Sequence, residues 1–424
     1  MRLRTFAVAG CVGALALGAA ACGDDDSGDS GGTGTSSGGG GETVKIYSSL
    51  PLQGASKDQT AAMVNGIELA LEEAGNKAGN VNIEYESLDD STAQAGNWDP
   101  GQTAQNARKV AQDDSAIGYI GEFNSGASVI SLPILNEAGI PQVSPANTYV
   151  GLTTDEPGSE EGEPAKYYPT GNRTYLRIVP RDTVQSAALL TLMKQDGCQN
   201  VAIANDKDTY GAGLARLMEL QAQDVGVNII GNEGIDKAAS NYRAYASSIK
   251  GDGADCFMFS GVTANGAVQI TKDVAAAIPD VKLYGPDGVC ESGFTNPESN
   301  GIPKSIAPQF KCSVATLNLE SYPGGQEFLK QYEAEFGSAN PDPYAIYGYE
   351  AMQLFLDTLE GLGDQATDRQ AVLQALFDTQ DRESALGTYS FDENGDTSLT
   401  DYGIYEVGDD GNPAFAEAIK AEGA

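Results

Sequence analysis

Residues 121–148, GEFNSGASVISLPILNEAGIPQVSPANT, decide the fold. The apolar run AIGYIG (116–121) leads into Asn124, Ser125 and Gly126. An amphipathic stretch over 128–138 follows, and a second short run, PQVSP, then ends in Ser144, Ala146, Asn147 and Thr148. A strand, a helix-length connection and another strand make a crossover, which sets the two strands parallel. Sheets of this kind hold ligands outside the carboxyl ends of their strands, and both clusters of small polar residues occupy such an end. There a hydroxyl and the unpaired N–H groups of a helix start form a seat for an anion, such as a carboxylate, without formal positive charge. Ser, Thr and Asn serve equally as turn and cap residues, so the motif alone leaves both readings open. Ours is that the two turns converge on one small ligand.

The same alternation extends in both directions. VKIYSSL (44–50) and VNIEYES (81–87) are expected strands, with helices over 58–74 and about 103–112. A second series starts near Tyr175, where helices over 184–195, 212–225, 241–250 and 264–276 alternate with the strands VAIAND, VNIIG, CFMFSG and VKLYG. Such alternation means parallel sheets covered on both faces, so the expected fold is α/β, two doubly wound parallel-sheet lobes. After Val314 come a strand-like VATLNLESY, helices over 325–336, 343–362 and 367–379, and a closing hairpin of LGTYSF with DYGIYEV. The expected division places 43–179 with 318–379 in lobe 1 and 180–317 with 380–424 in lobe 2. A hinge of several strands joins them and favours closure around a ligand. Between the two series, DEPGSEEGEPAKYYPT (155–170) reads as a surface excursion near the lobe junction, a solvated loop or a lid.

Composition removes whole classes of function. The chain has 424 residues, 41% of them hydrophobic, enough for two domains with cores of their own. Its 60 acidic residues against 25 basic ones give a formal net charge of −35, which repels phosphate backbones and anionic lipid headgroups. No histidine is present, so Ser-His-Asp and Cys-His nucleophile pairs and HExxH zinc sites are excluded. An enzyme is not expected.

The first residues read as an export signal: Arg2 and Arg4 precede an apolar, small-residue run that ends in Ala19-Ala20-Ala21-Cys22. That ending resembles a bacterial lipobox, although a leucine is more usual where Ala19 stands. The lipobox reading gives a signal peptide over 1–21, with Cys22 as a lipidated first residue anchored to the membrane. The alternative is ordinary cleavage after an Ala-x-Ala site. Residues 22–42 supply a Gly/Ser/Asp-rich tether, too polar to bury a core. Export places Cys198, Cys256, Cys290 and Cys312 in an oxidising compartment, where four thiols allow three pairings. Cys198 precedes and Cys256 opens an apolar run, which places them at the same end of neighbouring parallel strands. The preferred pairs are therefore Cys198 with Cys256 and Cys290 with Cys312. No CxxC zinc spacing occurs, and neither a metal nor a cofactor is expected.

GEFNSGAS, LNEAGIPQVSPANT, VAIANDKDTYGAGLA, LYGPDGV, YAIYGYEAMQ and FDENGD follow in an order and spacing that resemble one family over about 43–410. It is the type I periplasmic binding proteins of the branched-chain amino acid (Leu/Ile/Val) group, the solute receptors of ABC importers. The resemblance implies that Ser125, the backbone at Ala146 and the hydroxyl of Thr148 hold a ligand α-carboxylate. It implies that Asp287, in the GPD turn, takes the α-ammonium; an aspartate where glutamate is usual reaches one methylene less. Tyr210 and Tyr344 match aromatic positions that close over the ligand, and Asp182 matches an acidic residue after the first crossing. Donors at one end and an anion at the other suit a zwitterion, and exclusion of water strengthens both. Val262 stands where a tyrosine is common, and the region of Gln59 replaces another, so leucine is not implied as the ligand.

Two further motifs admit a functional reading. DENGDTSLTDYG (392–403) begins like a calcium loop, but Thr397 replaces the glycine and Gly403 the bidentate glutamate that such a loop needs, so a turn is expected. Tyr167 and Tyr168, suited to stacking on a ligand, are expected instead to pack their own loop. The whole implies a monomeric, lipid-anchored extracytoplasmic receptor that closes on an amino acid-like ligand and delivers it to ABC permease subunits. A sensor docking on a membrane signalling protein is the alternative.

Overall fold

The computed structural model describes residues 41–421, so the expected signal, Cys22 and the tether up to residue 40 lie outside the described residues. The apolar runs form two sheets. In the first, the strand order is Lys77–Ala78, Val81–Asp89, Thr43–Leu50, Ala116–Gly121, Gln142–Ser144 and Tyr175–Arg177. All neighbours are parallel except the short Lys77–Ala78 edge. The second runs Ile229–Gly234, Val201–Asn205, Cys256–Ser260, Lys282–Gly285, Phe310–Val314, Tyr402–Val407 and Pro413–Ile419. Its first five strands are parallel and its last two antiparallel. Ala116–Gly121, Val201–Asn205 and Cys256–Ser260 are buried at every residue, as strands covered on both faces must be. The α/β class with two parallel-sheet lobes is therefore as expected.

The chain passes between the sheets three times, between Arg177 and Asp182, between Val314 and Gly325, and between Phe377 and Tyr402. On its return, helix Ala345–Leu362 lies against helix Lys57–Glu73 so closely that only glycine fits at the crossing. A Cβ on Gly66 would meet the Ala345 carbonyl at 2.0 Å, and one on Gly348 the Met63 carbonyl at 2.2 Å. Arg369 then ties helix Arg369–Phe377 to the first sheet by donating to the carbonyls of Asp113 (2.7 Å) and Ala116 (2.8 Å).

Both expected disulfides form, Cys198 with Cys256 and Cys290 with Cys312, with Cα separations of 5.8 and 5.6 Å. The first joins neighbouring strands, since Cys256 pairs in register with Val201.

Three expectations need correction. The closing hairpin is Tyr402–Val407 with Pro413–Ile419, whereas Gly387–Tyr389 pairs with Arg382–Ser384. Val407 and Pro413 are joined by a tight Asp/Gly/Asn turn whose polar residues hid the following strand. VATLNLESY leaves the second sheet at Val314 and turns into a 3-10 segment at Leu319–Ser321. Several helices begin two or three residues before the apolar periodicity does. Helix Pro100–Ala111, expected from 103, starts at a proline capped by Asp99, whose carboxylate accepts the N–H groups of Gly101 (2.9 Å) and Gln102 (3.0 Å).

Beneath the first sheet's carboxyl edge, Asp90 and Glu122 are both fully buried side by side. Tyr119 donates its hydroxyl to Glu122 (2.6 Å), and among the described residues no lysine or arginine forms an ion pair with either carboxyl. Burial, with the Glu122 charge adding to it, holds the Asp90 carboxyl well above its ordinary range. The folded state thus keeps a proton that the unfolded state has lost, and stability falls as pH rises from the ordinary carboxylate pKa upward. Asp90→Asn should raise the thermal midpoint at pH 8 while leaving it nearly unchanged at pH 4; equal shifts in melts at both pH values would refute the shared-proton account.

Candidate ligand-binding site

The two turns flagged at 124–126 and 144–148 are knitted into one corner. Ser144 donates its hydroxyl to the Glu122 carbonyl (2.8 Å) and accepts the N–H groups of Asn147 (2.9 Å) and Ala146 (3.2 Å). Asn147 donates its side-chain amide to the Phe123 carbonyl (2.8 Å). Ser144 and Asn147 therefore build the corner, and the Ala146 N–H already has a partner there. Ser125 is the first residue of helix Ser125–Glu137, where the leading N–H groups lack intrahelical acceptors. Its hydroxyl makes no hydrogen bond among the described residues, and the buried Oδ1 of the preceding Asn124 is likewise unpartnered.

From the second lobe, Asp287 follows strand Lys282–Gly285 and opens a short 3-10 turn. Gln185 donates to its Oδ1 (2.6 Å), the Tyr210 hydroxyl donates to the same oxygen, and the Tyr344 hydroxyl reaches Oδ2 at 3.4 Å. Burial raises the Asp287 pKa, partly offset by these donors. Tyr344 precedes the long helix of the first lobe and stacks edge-on against Phe123, ring centroids 5.6 Å apart. One tyrosine thus links the serine-bearing turn to the second-lobe acid. The lobes also meet where Ser292 donates to Asp58 (3.2 Å).

Asp182 is the first residue of helix Asp182–Gln195, with its N–H bound to the Thr148 carbonyl (2.8 Å). Its carboxyl is fully buried, and among the described residues neither oxygen has a hydrogen-bond partner. Burial pushes it up to about 8; the Thr148 hydroxyl beside it opposes the shift and the nearby Asp287 charge adds to it. The adjacent Arg177 guanidinium is committed elsewhere. Its Nε holds Asp396 at 2.6 Å, while its Nη atoms donate to the carbonyls of Tyr149 (2.8 Å) and Asn147 (3.3 Å) and to the Thr153 hydroxyl. Asp396 belongs to the calcium-like stretch, where its oxygens serve Arg177, Arg181 and Thr153, and where Asp392 closes the turn by accepting the N–H groups of Asn394 and Asp396.

The structure thus brings Asp287, Tyr210 and Tyr344 into one hydrogen-bonded group, and Thr148 and Asp182 into another beside it. Ser125 follows two residues after Phe123, whose ring Tyr344 meets. Sequence reasoning missed Gln185, Phe123 and Arg177, which no local motif marks. The 155–170 excursion spans the lobes: Glu156 pairs with Arg181 (3.3 Å) and accepts from Thr183 (2.8 Å), and Arg216 donates to the Ser159 carbonyl (3.0 Å). Tyr167 and Tyr168 pack that loop, as expected, donating to Glu163 and to the Leu152 carbonyl (2.8 Å), and are buried. Val262 is buried in the second lobe.

Residues 43–412 match the model of a family described as periplasmic binding protein. The chain belongs to that family, which consists of extracytoplasmic solute receptors and not enzymes. A Leu/Ile/Val-binding protein homolog from Brucella melitensis is 26% identical over 370 residues, 85% of this chain and 90% of that protein. The leucine binding protein LivK of Thermotoga maritima superposes with a TM-score of 0.74 at 21% identity, covering 89% of this chain and 99% of its own. A solute binding protein from Rhodopseudomonas palustris, solved with p-hydroxybenzoic acid, superposes at 0.72 with 17% identity, covering 90% and 98%. Among the described residues no helix is long and apolar enough to cross a membrane.

Asp396→Ala should strand the buried Arg177 charge and cost about 3–5 kcal/mol of stability. Denaturant unfolding checks this, and a loss under 1 kcal/mol would show that the pair does not hold the corner.

Proposed function

We propose that this protein captures an amino acid between its lobes and presents it to an ABC importer, held to the membrane by lipid on Cys22. The lobes of the proposal are 43–179 with 318–379 and 180–317 with 380–424. The observation that carries it is the Asp182 carboxyl, fully buried and unpartnered beside Asp287. Two buried acids without a free cation are costly unless a ligand supplies one, and an α-ammonium does. Facing them, the free Ser125 hydroxyl, the leading N–H groups of its helix and Thr148 form the seat for the α-carboxylate. Tyr210 and Tyr344 close over the ligand. A bound aromatic acid such as p-hydroxybenzoate brings no ammonium, so the acid pair favours the amino acid relatives as the guide to ligand class. Both lobes touch the ligand only when closed, and those differential contacts shift the population toward the shape a permease would read.

Asp287→Ala and Ser125→Ala should each weaken binding of a zwitterionic amino acid about tenfold or more, the scale of one charged hydrogen bond. Titration calorimetry of both variants with leucine and related amino acids decides it; unchanged affinity in both rejects the site. Because Asp182 keeps its proton up to about pH 8, an incoming ammonium expels it. Binding at pH 7 should therefore release a proton, visible as a heat that depends on the buffer's ionisation enthalpy and is absent in Asp182→Asn.

A further inference from the structure

A cavity of about 800 Å³ lies beyond Tyr344 and away from the Ser125–Thr148 corner. Both lobes line it. Asp58 and Asp342 come from the first lobe, Glu291 and Asp410 from the second, and Glu320 from a crossing segment; no lysine or arginine is among the lining residues. Acidic side chains on a rim are ordinary in so anionic a protein. Glu291 is different. It is 3% exposed, it lines the cavity, and among the described residues neither of its carboxyl oxygens has a hydrogen-bond partner. It follows the GPD turn directly after the bridged Cys290 and sits between Ser56, at the start of the first-lobe helix Lys57–Glu73, and Thr263 of the second lobe. A carboxyl buried without partners is retained at a cost unless something with a positive charge comes to it.

We propose that this cavity is a second binding site, for an organic cation whose ammonium or guanidinium group seats against Glu291. A metal ion fits poorly: no group of three acidic, histidine or cysteine side chains among the described residues lies at metal-holding spacing, and the volume suits a molecule of several heavy atoms. Tyr344, Tyr405 and Phe415 line the same space, giving aromatic faces to an alkyl stem or to the cation itself. Asp342 supports the deep end: its Oδ1 accepts the Tyr344 N–H (2.9 Å), and burial with the Asp58 charge pushes it up to about 6. Glu291 rises to about 7 through burial; the neighbouring Thr263 and Ser56 hydroxyls oppose the shift, and the Asp342 and Asp58 charges add to it. A bound cation lowers both by the same attraction that holds it. Since the walls come from both lobes, occupancy stabilises the closed state, and Tyr344 connects the two sites because its hydroxyl reaches Asp287.

The site stands independently of the amino acid reading, and its test is built to show that. The probe is agmatine, which carries a guanidinium and an ammonium but no carboxylate, titrated calorimetrically into the full chain at pH 7 and low ionic strength, with butylurea as the neutral comparison. The expected result is one-site agmatine binding, no butylurea binding, a loss of about tenfold or more in Glu291→Gln, and no change in Ser125→Ala. Glu291→Gln should melt at or above the parent temperature, and Asp342→Asn should weaken agmatine in the same direction. No binding by the parent protein overturns the proposal. So does equal binding by Glu291→Gln, or a loss confined to Asp287→Ala, which would place agmatine in the amino acid seat. Leucine affinity in Glu291→Gln reports separately on the amino acid reading.

Discussion

One buried guanidinium organises the junction of the two lobes. Arg177 ends the last strand of the first sheet, is fully buried, and reaches Asp396 on the returning chain. Its remaining donors clamp the carbonyls of Asn147 and Tyr149, on either side of Thr148. An ion pair in this position contributes little net stability against an apolar replacement, because both charges had to leave water. What it contributes is definition. Two segments 219 residues apart are fixed to the turn that carries a candidate ligand contact.

Around that anchor the interior is unusually rich in carboxyls. Asp182, Asp287, Glu291 and the Asp90–Glu122 pair are all buried, and burial raises every one of them. They divide into three situations. Asp287 is held by three donors, so its orientation is set before any ligand arrives. Asp90 and Glu122 hold one another beneath the sheet edge. Asp182 and Glu291, like Asp90, make no hydrogen bond from their carboxyl oxygens among the described residues, but unlike Asp90 they border the candidate site and the cavity, and they are the residues whose chemistry remains to be completed from outside. A solute receptor is stable enough without its ligand and more stable with it, and unpaired buried acids produce that difference directly.

Much of this was legible in the sequence because it depends on local rules. Continuous apolar runs alternating with helical periodicity specified parallel sheets, and the even cysteine set allowed three pairings, of which the preferred one formed. Ser125, Tyr210 and Asp287 stood out from turn position and family resemblance. Helix starts were less legible. The expected helices began at 128, 184 and 212, but the structure starts them at Ser125, Asp182 and Thr209. The first turn of a helix is polar when it faces a ligand, so apolar periodicity is silent where the functional side chains sit. The same silence hid Pro413–Ile419, a half-exposed final strand whose pairing only its neighbour defines.

Composition and pattern therefore determined on their own the α/β class, the exclusion of histidine chemistry and the polar turns at the strand ends, and they favoured the two bridges without fixing them. Tertiary structure alone decided which of those polar groups lack partners. Gln185, Phe123 and Arg177 lie in no motif, and Glu291 looks like any other acidic residue in a chain that has 60 of them. Hydrogen-bond satisfaction is a property of three-dimensional neighbours drawn from distant segments. A linear pattern can place a carboxyl at a turn, but only packing shows whether anything donates to it.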